Sequence, residues 1–509
     1  METEPLLAHR RGIGENALDP EINTKPHAGD AGSFSKYGYI DPVIERRVVR
    51  KLDLRIPTLL GFLYLLSFLD RSNIGNARIA GMEEDLQLDG SRYEWLLTIF
   101  YISYLAFQFQ GLMWKIVPPH KWAAFTVFGW GVIATCQAAV FSWEAEMVLR
   151  FLLGVTEAGF GPGVPFLLSC FYRRHELGLR CGLFVSAAPL ASTFAGALAY
   201  GITSVHTKLA SWRLLFLVEG IPTLLMAPVV FRFLPDSPAK AKFLNEEEKE
   251  VARARALRQA GQVDRTGGVS WKEIGETLMD AKSWLVALMY FSCNVSYSSL
   301  PVFLPSILKD MGFTSINAQG LSAPPYFLSF LTSVITPWIA DRYQQRGLMI
   351  ALLSIVGLTG YVLLATCTSV IPRYIGVWMA ASGVFPCIAN ILPWVLKFVF
   401  TSVDNQGSDT RRGMGIIILN LVGQCGPLLG SNIFPTSDGP LYVRGQSICA
   451  AFMGLNCFLA LLLRTVLARQ NRQLDRKYGT LAQRAQQRVE TEQLVVAEEN
   501  YGPDYRFVL

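Results

Sequence analysis

Long apolar stretches alternate with short polar ones along the chain from about residue 55 onwards. An α-helix needs about 20 apolar residues to cross the hydrocarbon core of a bilayer, and most of these stretches reach that length. The sequence therefore predicts an all-α polytopic membrane protein. Its twelve predicted transmembrane helices lie at 56–80, 95–117, 122–141, 147–172, 181–204, 214–234, 284–308, 321–340, 348–368, 374–400, 414–435 and 445–468.

The longest polar interruption, 235–283, divides the predicted helices into two six-helix halves, 51–234 and 284–468. Secondary transporters with two related halves bind their substrate near mid-membrane, between the halves. The polar residues 1–50 contain no signal peptide pattern, and we expect them to be disordered in the cytoplasm. The polar residues 469–509 are expected to form a cytoplasmic tail.

Charge placement predicts the orientation in the membrane. A basic cluster precedes the first span, and positive charge favours the cytoplasmic side. This cluster consists of Arg46, Arg47, Arg50, Lys51 and Arg55. Short loops predicted inside, together with Lys115 and Lys397 near the cytoplasmic ends of their predicted spans, carry ten Lys and Arg residues against six outside. We expect both termini in the cytoplasm and the plasma membrane as location, while an acidic dileucine pattern at 2–7 leaves a vacuolar or endosomal membrane open.

Composition narrows the classes of function. The chain has 509 residues, of which 51% are hydrophobic and 17% charged, with a mean hydropathy of +0.31. The nine cysteines show no CxxC or Cys/His metal spacing, and no nucleophile–base set is evident. We therefore expect no metal, no cofactor and no nucleic-acid partner, and an enzyme is the least favoured class of function. We also expect the protein to be a monomer.

Charged residues inside the predicted spans are the main candidates for chemistry. Asp70 and Arg71 lie about 21 Å along the first span from Ile56, where a charge costs about 2.5–3.5 kcal/mol. On the fourth span Arg150 and Glu157 are seven residues apart and share a helix face. We expect these two acids and two arginines to meet in one cavity with charges that sum to zero. A purely structural salt bridge remains the alternative.

This charge composition suggests proton-coupled anion transport. Arg71 and Arg150 are the predicted anion-binding residues, because a guanidinium binds a carboxylate through two parallel hydrogen bonds. An arriving anion competes with the acid already paired to the arginine, so anion binding and proton uptake favour each other. Glu157 is the first candidate for the proton and Asp70 the second. Glu157 as a structural partner of Arg71 stays open.

The second half has neutral polar and aromatic side chains, rather than charged ones, as its candidates for substrate contact. Its candidate substrate contacts are the polar side chains of Asn294, Tyr297, Asn390, Trp394, Asn420 and Gln424. Such groups in a helical bundle also form interhelical hydrogen bonds worth about 0.6 kcal/mol on average, so both interpretations stay open.

Two sets of motifs resemble known families. The loop at 339–347, with Asp341, Arg342 and Arg346, resembles the gating loop motif of the major facilitator superfamily. The corresponding loop after the second span has Lys115 where that motif has Asp. The second set resembles the fungal anion:cation symporters, the allantoate permease family of that superfamily. It comprises Asp-Arg-Ser-Asn-Ile-Gly-Asn-Ala-Arg at 70–78, Glu-Ala-Gly at 157–159 with Pro-Gly at 162–163, and Trp-Arg at 212–213 with Glu-Gly at 219–220.

The resemblance implies roles for individual residues. Asp70, Arg71, Arg150 and Glu157 match positions that bind substrate and couple protons in relatives, and Tyr104 matches a substrate-contacting tyrosine. The family usually has a glutamate near the end of the second span, where this chain has Gln108.

The function expected from these observations is proton-coupled import of a small organic anion, a carboxylate such as a vitamin or a ureide. A proton-driven exporter of an acidic metabolite has the same fold and charges, and a nutrient sensor that binds without transporting is a further alternative. Uptake with and without a protonophore separates the first two.

Overall fold

Helices account for nearly all of the apolar stretches in the structure, a computed structural model. The structure describes residues 42–88, 91–172, 174–205, 208–260, 271–394, 409–481, 483 and 506–508, and no strand occurs in these ranges. The end of the predicted span 374–400, most of the predicted disordered segment 1–50 and most of the tail 469–509 lie outside the described residues. We call residues 43–233 the first half and residues 281–478 the second half.

The first half contains α1 (Pro42–Asp53), α2 (Ile56–Ser72), α3 (Ile74–Ala77), α4 (Glu83–Asp85), α5 (Arg92–Ala106), α6 (Met113–Ile116), α7 (Pro119–Cys136), α8 (Trp143–Ala158), α9 (Gly163–Phe171), α10 (Arg174–Thr203) and α11 (Ser211–Phe233). Proline at the start of α2 and α7 fits a position whose N–H needs no partner. Ser142 caps α8, because its hydroxyl accepts a hydrogen bond from the Ala145 N–H.

Two helices, α12 (Glu246–Ala260) and α13 (Trp271–Met279), lie within the predicted central loop. The second half contains α14 (Ala281–Asp310), α15 (Ser315–Tyr343), α16 (Arg346–Thr366), α17 (Val370–Trp394), α18 (Asp409–Gly423), α19 (Cys425–Gly430) and α20 (Val443–Tyr478). Asp280 and Thr314 cap α14 and α15 through hydrogen bonds from the backbone N–H groups of Lys282 and Asn317.

The fold class predicted from the sequence is confirmed. In the described residues, nine helical segments are long and apolar enough to cross a membrane. A tenth is the pair Arg92–Ala106 and Gln108–Ile116, which bends by 43°. The other two predicted spans fall on the more polar α15 and on the short apolar segment Ile417–Gly430. Twelve spans are compatible with these helices.

The end of the first span departs from a regular helix. The α-helix α2 ends at Ser72, and after α3 the backbone forms a π-helix at Arg78–Met82 that is kinked at Gly81. Gly81 has a φ of 107°, a conformation that favours glycine. The irregular backbone directly follows Asp70 and Arg71.

The two halves approach each other closely beside this irregular segment. A Cβ atom on Gly75 would lie 2.3 Å from the carbonyl oxygen of Val302, so only glycine fits there. The Tyr93 hydroxyl donates to the same Val302 oxygen at 3.3 Å, and the Gln319 amide donates to the Asn76 carbonyl oxygen at 3.3 Å. Small residues at such contacts allow helix backbones to approach.

Helix α12 is attached to the first half by ion pairs. Lys51 donates to both Glu248 oxygens, at 2.7 and 2.8 Å, and Arg255 pairs with Glu45 and Glu176. Residues 42–50 belong to α1, although the sequence places them in a disordered segment. Helix α1 is ordered because it buries Val48 and Leu52 and supplies ion-pair partners to α12.

Candidate functional site

Arg71 and Glu157 form a buried ion pair between α2 and α8. Arg71 Nη2 donates to Glu157 Oε2 at 2.6 Å and Arg71 Nε donates to the same oxygen at 3.2 Å. The Ser67 hydroxyl, one helical turn before Arg71, donates to Oε2 at 3.0 Å. The Arg71 side chain remains 15% exposed, whereas the Glu157 side chain is fully buried. The arginine is thus the member of the pair that remains accessible.

Aromatic rings surround the Arg71 guanidinium. Its Cζ lies 5.0 Å from the centre of the Phe100 ring, 5.1 Å from that of Tyr104 and 6.0 Å from that of Phe68. The negative faces of such rings favour a cation. Tyr104, assigned to substrate contact by resemblance, therefore lies directly beside Arg71.

Arg150 pairs with Glu146, not with Glu157. Its Nε donates to Glu146 Oε1 at 3.0 Å, one helical turn back along α8. Its Nη1 is 3.5 Å from the backbone carbonyl oxygen of Arg71. Arg150 is only 1% exposed, so it supports the backbone at Arg71 from inside the protein.

Asp70 forms its hydrogen bond with α11 and not with either arginine of the cluster. Its Oδ2 accepts a hydrogen bond from the Thr223 hydroxyl at 3.0 Å. Glu219, one turn before Thr223, is 1% exposed and interacts electrostatically with Asp70. The structure adds two buried acids, Glu146 and Glu219, to the two acids and two arginines that the sequence predicts.

The second half contributes aromatic residues to the neighbourhood of Arg71. The Tyr297 hydroxyl is 3.3 Å from the Tyr64 hydroxyl across the two halves. The Tyr297 ring centre lies 5.5 Å from that of Phe68 and 4.8 Å from that of Phe385. Among the second-half candidates, Tyr297 is thus in direct contact with the aromatic residues around Arg71.

The amide candidates Asn294, Asn420 and Gln424 make no hydrogen bond with Arg71 among the described residues. The Asn294 amide donates to the Gly423 carbonyl oxygen at 3.1 Å and joins α14 to α18. Asn420 lies on α18 and Gln424 directly after the end of that helix, and both are partly exposed. Their side chains make no hydrogen bond with the described residues that would fix their orientation.

Asn390 and Trp394 are held by contacts within the protein. The fully buried Asn390 amide donates to Thr336 Oγ1 at 3.0 Å and to the Pro386 carbonyl oxygen at 2.9 Å. The Trp394 indole N–H donates to the Val508 carbonyl oxygen at 2.9 Å. The structure does not bring either residue into contact with Arg71, because these hydrogen bonds hold both side chains elsewhere.

The loop motif joins three helices of the second half. Arg346 is fully buried and donates to Asp341 Oδ1. It also donates to the Asn390 carbonyl oxygen at 3.4 Å, so the loop is tied to α17. Arg342 instead lies 5.6 Å from the centre of the Trp338 ring. In the first half, Lys115 forms no equivalent ion pair with the residues that the structure describes, and its Nζ lies 5.4 Å from the centre of the Phe166 ring.

Sequence reasoning missed several residues that build the site. They are Tyr64, Ser67, Glu146, Glu219 and Thr223. Glu146 is four residues before Arg150, a spacing that indicates an ion pair on a helix. Glu219 belongs to a motif that the sequence shares with the family, although the motif alone gives it no role.

Comparisons with known proteins agree with this fold. The model of the Major Facilitator Superfamily matches residues 60–431. The MFS transporter prlL of Fungal sp. (strain NRRL 50135) is 32% identical over 91% of this chain and 97% of its own length. The high-affinity nicotinic acid transporter of Saccharomyces cerevisiae is 31% identical over 84% of this chain and 79% of its own length.

A solved structure resembles the fold at low sequence identity. It is a bacterial homolog of the human lysosomal transporter Spinster, in an inward-facing and unoccupied conformation. It has a TM-score of 0.58 at 13% identity and covers 84% of this chain and 97% of its own. By the extent of the family match and the similarity to its relatives, this chain belongs to the Major Facilitator Superfamily and is a membrane transporter.

Proposed function

We propose that this transporter is a symporter that carries a small organic anion into the cell together with protons. The observation that carries the proposal is the Arg71 guanidinium, which lies within the membrane-spanning bundle and remains 15% exposed. A buried permanent cation is costly, and intramembrane charges usually mark an ion or substrate path. Its chemistry favours a carboxylate.

The surroundings of Arg71 favour a flat monocarboxylate. Glu157 engages only Nε and Nη2 of the guanidinium. A substrate carboxylate could bind Nη1 and Nη2. It would then bind a guanidinium whose Cζ is about 5 Å from the ring centres of Phe100 and Tyr104. One relative is named a nicotinic acid transporter, and nicotinate combines a carboxylate with an aromatic ring. Nicotinate is therefore the first substrate to test.

Proton coupling follows from competition for Arg71. An incoming carboxylate and Glu157 compete for the positive charge of the same guanidinium, and both would use its Nη2 group. Protonated Glu157 has no charge to hold Arg71, so protonation favours anion binding and anion binding favours protonation. Asp70 is the second candidate for the proton. We also propose that the protein lies in the plasma membrane as a monomer with both termini in the cytoplasm.

Uptake by proteoliposomes tests the proposal. The purified full chain is reconstituted, and accumulation of labelled nicotinate is measured with an alkaline interior, with and without a protonophore. We expect accumulation that the protonophore abolishes. Arg71→Gln is expected to abolish uptake, while Arg92→Gln, at an exposed site, serves as the matched control.

Three results would count against the proposal. Accumulation that ignores the protonophore would exclude proton coupling. Nicotinate loss from loaded vesicles in exchange for protons would indicate an exporter. If none of nicotinate, pantothenate and allantoate binds or is transported, the proposed substrate class is wrong.

A further inference from the structure

The first half buries more acids than arginines near Arg71. Arg71 donates to Glu157 and Arg150 donates to Glu146, so each arginine is matched to one acid. Among the described residues, neither of the two remaining acids, Asp70 and Glu219, accepts a hydrogen bond from an arginine or a lysine. All four acids are at most 2% exposed: Asp70, Glu146, Glu157 and Glu219.

Asp70 and Glu219 are brought together by α2 and α11. Thr223 Oγ1 is 3.0 Å from Asp70 Oδ2, and Glu219 lies one turn before Thr223 on the same face of α11. Both Glu219 carboxyl oxygens are buried without a hydrogen-bond partner in the described part of the chain. The Asn73 side-chain amide lies close enough to interact with Glu219 as a hydrogen-bond donor, at a geometry short of a full hydrogen bond.

Helix α11 packs closely on α7 beside Glu219. A Cβ on the neighbouring Gly220 would lie 2.7 Å from the Thr135 backbone nitrogen. A Cβ on Gly131 would lie 2.8 Å from the Leu224 nitrogen. Helix α11 therefore rests directly on the backbone of α7.

Few other charges face the two acids. Asp70 interacts with Glu157, which is already paired, and with Arg150. Glu219 interacts with Asp70. Helix α7 has no charged residue after Lys121, and the charged residues of α10 lie in its first two turns. In the π-helix, Arg78 pairs with Glu83.

Two neighbouring carboxyl groups in an apolar bundle cannot both remain ionised without a cation between them. We propose that Asp70 and Glu219 share a proton and form one protonation site, separate from Glu157. Glu219 is thereby a further functional residue on α11. Its place in transport rests on the proposed proton coupling, whereas the shared proton itself does not.

Infrared difference spectroscopy tests the shared proton without any transport. The C=O stretch of protonated carboxyl groups is followed in the purified full-length protein as pH changes. Removing one of two interacting acids lowers the pH at which the other loses its proton, by about one unit or more. In both Glu219→Gln and Asp70→Asn we expect the band of the remaining acid to disappear at a lower pH than in the wild type. Glu144→Gln, at an exposed site, is expected to titrate like the wild type.

The proposal would be overturned if each single variant lost only the infrared band of the substituted acid and the remaining acid lost its proton at the same pH as in the wild type. Glu219→Asp, which keeps the carboxyl group, is expected to restore the coupled titration. If Glu219→Gln fails to fold, Asp70→Asn tests the same coupling independently.

Transport measurements then connect the pair to function. Glu219→Gln is expected to retain exchange of nicotinate across the membrane but to change the pH dependence of its uptake, which Glu144→Gln leaves unchanged. An unaltered pH dependence in Glu219→Gln would overturn the functional role of Glu219. If wild-type uptake is independent of protons while the infrared shifts occur, the proposed symport fails and the shared proton stands.

Discussion

Arg71 is bonded to Glu157, 86 residues away in the chain, and not to its neighbour Asp70. Successive residues of a helix point in directions about 100° apart, so Asp70 and Arg71 face different partners. The two adjacent charged residues of the first span therefore have partners on different helices: Arg71 pairs with α8, and Asp70 accepts a hydrogen bond from α11. This division separates an anion-binding candidate from a proton-binding candidate.

Loss of the Arg71 charge is expected to affect stability and binding separately. Arg71→Gln leaves Glu157 buried without its partner, which costs about 3–5 kcal/mol of folding free energy. The double variant with Glu157→Gln removes both charges, and we expect it to regain most of the thermal stability but no nicotinate binding. Thermal unfolding and binding calorimetry measure the two effects. Nicotinate binding by the double variant would place the anion site elsewhere.

Glu157→Gln alone mimics the protonated acid and frees Arg71. We expect this variant to bind nicotinate and to exchange it across the membrane, yet to fail in accumulating it along a pH gradient. Counterflow into vesicles loaded with unlabelled nicotinate measures exchange, and uptake from an alkaline interior measures accumulation. Retained accumulation would show that another group carries the proton, and loss of exchange would make Glu157 a structural residue.

The fold could be predicted because its signal is local and strong. A run of about 20 apolar residues has few alternatives to a membrane span, so hydropathy alone identifies most of the helices. Helix α15 shows the limit of this approach, since its Ser, Thr, Asn and Pro residues lower its hydropathy although it is a continuous helix. Its polar side chains find partners on neighbouring helices, as Ser329 does with the Ala381 carbonyl oxygen.

The candidate site could be predicted only in part. Asp70, Arg71 and Glu157 stand out because charges are rare in apolar spans, and pairing of Arg71 with Glu157 was one of the two interpretations left open. The contact of Asp70 with Thr223 joins residues 153 positions apart, and a single sequence carries no signal for such pairs. Glu219 could not be assigned to the site for the same reason, since it becomes part of it only through helix packing.

Arg150→Lys is expected to weaken the protein despite keeping the charge. A lysine cannot replace the hydrogen bonds that the guanidinium makes to Glu146 and to the Arg71 carbonyl oxygen. Hydrogen bonds to charged groups contribute about 1.5–3 kcal/mol, so we expect a loss of that size in unfolding free energy, together with weaker nicotinate binding because the backbone at Arg71 shifts. Arg92→Lys is the control. Unchanged stability and affinity would show that Arg150 supports neither.

Trp394→Phe is expected to reduce stability without changing nicotinate affinity. The substitution keeps an aromatic ring but removes the hydrogen bond to the Val508 carbonyl oxygen, at a cost of about 0.5–1.5 kcal/mol. Trp95→Phe, at an exposed site, is the control. Deletion of residues 506–509 is expected to cost less in the Trp394→Phe background than in the wild type. A fall in nicotinate affinity at full stability would instead support the predicted substrate contact.

Attachment of α12 to α1 is expected to depend on pH through Glu248. Burial favours the neutral form of Glu248, but hydrogen bonds from Lys51 and from the Asn245 backbone N–H outweigh it and hold the pKa of Glu248 below its usual value. A lowered pKa in the folded protein means that the stabilisation is complete above the usual glutamate pKa, roughly 4.3, and is lost as pH falls through the lowered value.

Hydrogen exchange across α12 measures this attachment. We expect slow exchange at neutral pH that accelerates below about pH 4 in the wild type. Glu248→Gln removes the charge that Lys51 binds, so its exchange should already be fast at neutral pH. Glu246 also has a lowered pKa, caused first by its hydrogen bond with Lys249, but both belong to α12 and Glu246 is exposed. Glu246→Gln should therefore exchange like the wild type at neutral pH. Equal acceleration of exchange in both variants would mean that any acid near the start of α12 suffices. The Lys51–Glu248 pair would then not hold the helix in place.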